Sequence, residues 1–295
     1  MTVVRATAFA KLTLSLRVLG RRPDGFHDIE ALTASIGQPH DTLAVRAGDR
    51  PGVRFELETD DADDVPATRT NLAVRAVEAI LLAAGRDDGV DLMLSKRIPA
   101  GAGLGGGSAD AAAALVVTRQ LLDLDVDDAS MVALAATLGS DVPFCLYGGA
   151  AWMRGRGELV EPVELARGIP MLLAVPPFRL STPAVYRMWD DLGGPRSDRP
   201  VPAPPPIATV QAELANDLEP AAERLEPALR EFRERFERVA GRPALLAGSG
   251  SSLVVPVDDA RALPALADRA TAGLGWPVVP AATVSRGVRV EHPEA

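Results

Sequence analysis

Cysteine is almost absent from this 295-residue chain, which contains Cys145 alone. One cysteine excludes an internal disulfide framework and a zinc site built from cysteines. Long apolar runs are also missing, since no stretch reaches the roughly 18 residues of a membrane helix. Residues 1–18 are interrupted by Arg5 and Lys11 and lack the apolar core of a signal peptide. These absences predict a cytoplasmic protein without a membrane partner.

Lysine is scarce as well, because Lys11 and Lys96 are the only lysines among 31 basic residues. A general preference for arginine explains the bias. It leaves two positions that are candidates for a compact point charge, although chance explains two such positions equally well. The net charge of −9 excludes a general nucleic-acid binder, whose footprint is a basic face. We therefore expect no nucleic-acid partner.

The pattern of apolar residues predicts both strands and helices. Apolar and polar residues alternate strictly from Lys11 to Val18, so Lys11 and Thr13 share the polar face of a half-buried strand. Further strands are predicted over 53–58 and 90–98, and a hairpin around 153–158. Helices are predicted over 71–84 with Thr70 as cap, and over 108–122, 128–138, 182–192 and 219–238.

The second half of the chain contains two further patterns. Residues 193–208 are rich in proline and predict an exposed, semi-rigid loop. Residues 245–257 predict two short strands joined by a glycine turn. Because strands precede helices in several units, we expect an α+β fold of two domains with a boundary between residues 160 and 175.

A glycine-rich segment separates a predicted strand from the helix that follows it. Five glycines lie between Pro99 and Ser108, and each of them costs folding entropy. Glycines let successive N–H groups converge, and a helix start adds the positive end of its dipole. The segment therefore predicts a backbone cradle for an anion such as phosphate. The alternative is a turn that only lets the helix pack closely.

Other nucleotide-binding motifs fit this segment poorly. Gly101, Gly103 and Gly106 satisfy G-x-G-x-x-G, but the preceding strand ends in polar residues. A dinucleotide fold requires an acidic residue at the end of a strand about 20 positions further on. Asp125 has that spacing but does not end a predicted strand. A P-loop needs Gly-Lys-Ser/Thr after the glycines, and a protein kinase needs His-Arg-Asp and Asp-Phe-Gly. The chain contains none of these sequences.

Four segments resemble one family of enzymes. Residues 99–115, PAGAGLGGGSADAAAAL, are similar to the phosphate-binding motif of the GHMP kinases, the superfamily of galactokinase, homoserine kinase and mevalonate kinase. Within that superfamily, residues 9–32, 137–158 and 245–255 resemble the 4-diphosphocytidyl-2-C-methyl-D-erythritol kinases of the methylerythritol phosphate route to isoprenoids. The correspondence runs in order along most of the chain, from about residue 5 to residue 275.

The resemblance implies a two-domain GHMP kinase fold. Residues 1–165 would form a ribosomal-protein-S5-domain-2-like domain with a left-handed β-α-β unit, and residues 166–295 a ferredoxin-like domain. The active site would lie in the cleft between them. The implied reaction transfers the γ-phosphate of ATP, with Mg²⁺, to the 2-hydroxyl of the methylerythritol moiety of diphosphocytidyl methylerythritol. The expected oligomeric state is a monomer or a weak homodimer.

Two residues match the catalytic pair of that family. Asp141 matches the catalytic aspartate, and Ser140-Asp141-x-Pro143 predicts a helix start that holds the carboxylate rigidly. A plain N-cap is the alternative interpretation of Asp141. Lys11 matches the family lysine beside the aspartate, which would orient the acceptor hydroxyl and stabilise the developing alkoxide. An exposed strand lysine is the alternative for Lys11.

The resemblance also assigns two binding regions. The residues expected to bind ATP are Asn71, Lys96, Pro99, Ala100, Gly101, Ala102, Gly103, Leu104, Gly105, Gly106, Gly107, Ser108 and Ala109. The residues expected to bind the acceptor are Lys11, Thr13, Phe26, His27, Asp141 and Tyr186. Phe26 and Tyr186 would stack on the cytosine, and His27 would read its edge. Ser108 is a candidate for the magnesium, but no supporting carboxylate is identified, so no metal ligand is assigned.

The sequence departs from the family pattern at two positions, and two alternative functions are weighed against the assignment. Thr13 and Phe26 stand where the family commonly has asparagine and tyrosine, so the finer substrate contacts are expected to differ. Another small-molecule kinase, acting on homoserine or mevalonate, is disfavoured by GRRPDGFH at residues 20–27. A non-catalytic nucleotide sensor would be favoured by loss of Asp141 or Lys11, and both are present.

Overall fold

Two long strands form the frame of the first half of the molecule. The structure is a computed structural model that describes residues 2–60, 65–165, 168–194 and 215–291. Strand β1 (Val3–Arg21) pairs antiparallel with β2 (His27–Gly48) along its whole length. The predicted alternation buries Leu12 and Leu14, but Lys11 and Thr13 on the opposite face are buried as well. The prediction that this strand is only half buried is therefore wrong, because other segments of the chain also cover its polar face.

The remaining elements of the first half surround this pair of strands. They are β3 (Gly52–Glu58), α1 (Leu72–Ala83), β4 (Gly89–Ser95), α2 (Gly106–Leu121), α3 (Asp128–Leu138), α4 (Val142–Tyr147), β5 (Ala150–Gly155) and β6 (Leu159–Val163). Strands β3 and β4 pair in parallel, with α1 between them in sequence, and β4 also pairs with β2. The hand of this β-α-β unit stays a prediction. Strand β5 pairs with β2 and forms the predicted hairpin with β6.

Helix α2 is enclosed on all sides, and small side chains surround much of its first half. Ala109 and the four alanines at 111–114 are completely buried. Small side chains let a helix approach the strands closely, and α2 contacts both β1 and β2. This packing holds the first turn of α2 in a fixed place beside β1.

The second half contains a separate antiparallel sheet. The elements of the second half are β7 (Pro170–Ala174), α5 (Thr182–Asp191), α6 (Glu219–Leu225), α7 (Pro227–Ala240), β8 (Leu245–Leu246), β9 (Leu253–Pro256), α8 (Leu263–Leu274), β10 (Val278–Val284) and β11 (Val288–Glu291). The strands lie in the order β10-β7-β9-β8. With strands numbered along this half, that is the 4-1-3-2 order of a ferredoxin-like β-α-β-β-α-β unit. The predicted α+β architecture is confirmed.

The two halves are joined through their sheets. The end of β10 pairs with β2, and β11 pairs antiparallel with β1, with Arg5 opposite Glu291. Residues on both sides of the predicted division at residue 165 therefore build the first sheet. The division itself stays a prediction.

Besides the start of α2, two helix predictions differ from the structure. The helix predicted over 219–238 is two helices, because the backbone of Glu226 leaves the helical region and Pro227 starts α7. Thr70 is wrong as the cap of α1, because Asn71 holds that position and its Oδ1 accepts a hydrogen bond from the N–H of Ala73.

Two remaining expectations concern the surroundings of the protein. Among the helices in the described ranges, none combines the length and the apolarity that crossing a bilayer requires. The proline-rich loop predicted at 193–208 falls, from residue 195 onward, outside the described residues.

Candidate active site

A cleft of about 920 Å³ lies between the two halves of the molecule. Its walls come from β1, the start of α2, the turn before β2, helix α5 and the turn between β8 and β9. Every residue predicted to bind ATP or the acceptor lines this cleft except Ala109. Ala109 is fully buried instead, and its N–H donates to the carbonyl of Gly105 inside the helix (2.9 Å).

The glycine segment leads into a helix start, as its sequence predicts. Helix α2 begins at Gly106, two residues before the predicted start, and Gly105 precedes it in the left-handed region (φ 67°). The first N–H groups of a helix have no partner within it, so those of residues 106–108 can bind an anion. The positive end of the helix dipole lies at the same place.

The glycines also give room to the protein itself. A Cβ on Gly103 would lie 2.5 Å from the carbonyl oxygen of Ala247, and one on Gly105 would lie 2.6 Å from Cγ of Lys11. A Cβ on Gly106 would lie 2.8 Å from Nζ of Lys96. Close packing therefore explains these three glycines without a ligand.

Gly107 is the glycine of this segment that tests ligand approach most cleanly. It is exposed, it has no left-handed φ, and a Cβ there would meet only Cδ1 of Leu72, at 3.5 Å. We expect Gly107→Val to raise the KM for ATP at least about 10-fold, because the side chain would stand where the phosphates approach the helix start. Its unfolding free energy should stay close to that of the wild type. The measurements are steady-state kinetics and denaturant unfolding.

Gly106→Ala is the matched control, because it tests the effect of disturbed packing inside the protein. A methyl group at Gly106 meets Lys96 and Ile98 inside the protein, so this variant should lose stability. An unchanged KM for ATP in folded Gly107→Val would favour the packing alternative for the whole segment.

Lys11 and Asp141 meet at the wall of the cleft. Nζ of Lys11 lies 3.3 Å from Oδ2 of Asp141 and 3.4 Å from Oγ1 of Thr13. Asp141 precedes α4, as predicted, but its side chain makes no capping bond to that helix. The plain N-cap interpretation therefore fails, and the carboxylate is directed to the lysine. An ammonium and a carboxylate meet here beside the anion-binding start of α2.

Lys96 lies beneath the start of α2 in a buried ion cluster. Its Nζ is 2.5 Å from Oδ2 of Asp41 and 2.8 Å from Oδ2 of Asp110. Burial disfavours the ammonium, but the two carboxylates outweigh it and raise the pKa of Lys96. Burial and the Asp41 charge raise the pKa of Asp110 well above its usual range. The predicted contact of Lys96 with the base of ATP stays a prediction.

Asn71 also uses its side chain within the protein. Besides capping α1, its Nδ2 donates to the carbonyl of Pro66 (2.9 Å). The side chain thus fixes the segment that leads into α1, which lines the cleft next to Gly107. A direct contact of Asn71 with the base of ATP stays a prediction.

The acceptor end of the cleft contains a group of aromatic rings. His27 stacks on Tyr186 with ring centroids 4.8 Å apart, and its Nε2 lies 2.8 Å from Oδ1 of Asp190, to which an Nε2–H would donate. Burial and the Asp141 carboxylate raise the pKa of the Tyr186 hydroxyl. Phe26 is half exposed, and the guanidinium of Arg156 lies 5.1 Å from its ring centroid. The predicted residues are therefore brought together, with Tyr186 against His27.

Sequence reasoning missed Asp190 and Arg156, which both line the cleft. Asp190 had a detectable signal, because it lies four positions after Tyr186 and hence on the same face of α5. Arg156 had none, since arginine is the common cation of this chain.

Comparison with known proteins agrees with the fold. Residues 71–149 match the family described as GHMP kinases N terminal domain. A homoserine kinase from Cytophaga hutchinsonii, only 19% identical, has the same fold, with a TM-score of 0.73 over 99% of this chain and 98% of its own. The chain therefore has the fold of the GHMP kinases.

More similar relatives narrow the family. The 4-diphosphocytidyl-2-C-methyl-D-erythritol kinase of Pelotomaculum thermopropionicum is 39% identical over 85% of this chain and 88% of its own. That of a Nocardioides species is 40% identical over 92% and 94%. A crystal structure of a 4-(cytidine 5'-diphospho)-2C-methyl-D-erythritol kinase is 34% identical, with a TM-score of 0.75 over 94% and 98%. This chain belongs to the 4-diphosphocytidyl-2-C-methyl-D-erythritol kinase family.

Proposed function

We propose that this kinase transfers the γ-phosphoryl group of ATP to the 2-hydroxyl of 4-diphosphocytidyl-2-C-methyl-D-erythritol. One observation carries the proposal: Nζ of Lys11 lies 3.3 Å from Oδ2 of Asp141 in the cleft that also contains the start of α2. Phosphoryl transfer needs an anion site, a cation and a proton acceptor close together. The relatives of this chain support the identity of the acceptor.

Asp141 is the proton acceptor in this proposal. The acceptor hydroxyl oxygen forms the new bond to the γ-phosphorus while the bond from that phosphorus to ADP breaks, and the hydroxyl proton passes to the Asp141 carboxylate. Lys11 and Thr13, which point to the same place, orient the hydroxyl and stabilise its developing negative charge. The free N–H groups of residues 106–108 bind the phosphates.

Magnesium would be held together with the phosphates of ATP. Nucleotide-bound Mg²⁺ keeps several waters and needs few protein oxygens. The described residues contain no cluster of three or more His, Cys, Asp or Glu that could hold a metal alone, and the hydroxyl of Ser108 lines the cleft at the first turn of α2. Ser108 therefore fits as a ligand beside the phosphates, and a magnesium ion there would neutralise phosphate charge.

The environment of the enzyme is part of the same proposal. We propose a cytoplasmic monomer or weak homodimer without a nucleic-acid partner, and the net charge of −9 supports the last point. Sedimentation velocity at assay concentrations measures the oligomeric state.

A panel of acceptors tests the proposed reaction. Turnover coupled to ADP release is measured with diphosphocytidyl methylerythritol, homoserine, mevalonate and galactose. We expect turnover with the first compound and none above background with the other three. Preference for another acceptor would identify a different kinase of the superfamily. Tight ATP binding without turnover on any acceptor would identify a nucleotide sensor.

The base of the acceptor provides a finer prediction. The wild-type enzyme should prefer the cytidine acceptor over its uridine analogue, because the two bases present opposite donors and acceptors at position 4 and N3. A site arranged for one base leaves buried groups unpaired with the other, at about 1–3 kcal/mol for each mismatched group. The measurement is kcat/KM for both acceptors. Equal values would contradict the cytosine pocket.

Two variants separate stacking from base reading. Phe26 is half exposed, so Phe26→Ala should weaken both acceptors alike, by the roughly 1–3 kcal/mol of one stacked base. Tyr186 also supports the ring of His27, so Tyr186→Ala should reduce the preference for cytidine as well. His27→Ala should narrow the preference without abolishing it.

A further inference from the structure

We propose that Asn216 is a positioning residue for phosphoryl transfer, because it holds the turn at residues 247–252 against Lys11 and Thr13. The inference depends on the proposed function, in which those two side chains orient the acceptor hydroxyl. Asn216 does not line the cleft. It would act through the turn.

The side chain of Asn216 binds the beginning of this turn. Its Nδ2 donates to the carbonyl of Leu246 (2.8 Å) and to the carbonyl of Gly248 (2.6 Å). Its Oδ1 accepts from the N–H of Leu218 (2.9 Å). Both donor hydrogens are thus used on the two carbonyls that flank Ala247, and no other residue type of this size supplies the same pair of donors and acceptor.

Asn216 is itself anchored to the strand that carries Lys11. The N–H of Leu16 donates to the carbonyl of Ala215 (2.9 Å), and the N–H of Asp217 donates back to the carbonyl of Leu16 (3.0 Å). The N–H of Val18 donates to Oδ2 of Asp217 (3.0 Å). The side chain of Asn216 therefore connects β1 to the turn through a short, fully bonded path.

The turn at residues 247–252 lies beside the side chains of Lys11 and Thr13. Gly248 has a left-handed φ of 59°, and a Cβ on it would lie 3.6 Å from both Nζ of Lys11 and Oγ1 of Thr13. Gly105 packs closely on the stem of Lys11, where an added Cβ would lie 2.6 Å from its Cγ. A displacement of Gly248 would change the packing beside both groups, and small misplacements at a reacting centre are costly.

The chain's two lysines make this proposal measurable without an activity assay. Asn216→Asp keeps the acceptor for Leu218, removes both donors and places a negative charge beside two carbonyl oxygens. The probe is acetic anhydride at limiting concentration, with the two lysines quantified by mass spectrometry of their separate peptides. We expect Lys11 to be labelled severalfold faster in the variant. Lys96, buried with two carboxylates, is the internal control and should stay unlabelled unless the protein unfolds.

A double-mutant cycle on turnover adds a second readout. Asn216→Asp should lower kcat about 10- to 100-fold, in the range expected when a reacting group is misplaced. Gly248→Ala alters the same turn directly, so combining the two should cost much less than the product of their separate effects. Glu226→Ala removes a capping bond to Ala228 on the exposed surface and controls for a loss of stability alone. Its kcat should match the wild type.

The outcomes decide between a positioning and a merely structural role. Asn216→Ser replaces the two amide donors with one hydroxyl on a shorter side chain, adds no charge, and is used instead of Asn216→Asp if that variant does not fold. Unchanged labelling of Lys11 in the folded variant, or a cycle whose effects multiply, overturns the proposal. A wild-type enzyme without turnover on diphosphocytidyl methylerythritol overturns the proposed function instead, and the labelling of Lys11 still decides the role of Asn216.

Discussion

Asp141→Asn is expected to lower kcat by roughly 10²–10⁴, the loss typical of a missing general base. The amide has nearly the shape of the carboxylate but cannot accept the proton of the acceptor hydroxyl. Asp141 makes no capping bond to α4, so the fold should not depend on its charge. Binding of ATP and of the acceptor should stay within a few fold. Single-turnover kinetics with titration of both substrates measures these quantities.

Asp127→Asn is the matched control for this substitution. Asp127 also precedes a helix, where its Oδ1 accepts from the N–H of Ser130 (2.7 Å), but it lies outside the cleft. Asparagine caps helices about as well as aspartate, so kcat and stability should both be retained. Near-normal turnover in Asp141→Asn would remove Asp141 from the mechanism.

Lys11→Arg should lower kcat at least about 100-fold although the positive charge is kept. The stem of Lys11 lies so close to Gly105 that a Cβ there would be 2.6 Å from its Cγ. Because the stem is fixed there, the larger planar guanidinium cannot take the place of the compact ammonium beside Asp141. The measurement is kcat with both substrates saturating.

Two variants control for charge and for cation exchange. Lys11→Met keeps the stem and removes the charge, so comparable losses in the arginine and methionine variants would show that position matters as much as charge. Arg46→Lys exchanges the cations in the opposite direction at an exposed pair with Asp91 and should leave kcat unchanged. Wild-type turnover in Lys11→Arg would show that any cation suffices.

The parts of the site with short-range signals could be predicted from the sequence. Lys11 and Thr13 lie two positions apart on one strand, and the proline after Asp141 marks a helix start. The glycine segment was predicted as an anion cradle, but the start of its helix was placed two residues late. Gly106 and Gly107 are helical although glycine is a poor helix former, because the packing of the alanines behind them decides the conformation.

Contacts between distant segments could not be predicted in the same way. Asp190 lies 163 residues from His27, and Gly248 lies 32 residues from Asn216. No periodicity or motif encodes such pairs, since they depend on how the two halves pack. The same limit applies to Gly105, because the sequence alone does not say whether a phosphate or Lys11 needs the space beside it.

Strand β11 also determines when the first sheet can be completed during synthesis. Its partner β1 leaves the ribosome long before it, by roughly ten seconds to a minute at about 5–20 residues per second. Until Val288 emerges, the outer edge of β1 presents unpaired N–H and C=O groups, which are a template for pairing with another nascent chain. Chains that terminate before β11 would keep that edge unpaired. We therefore expect them to aggregate even where the rest of the enzyme has folded.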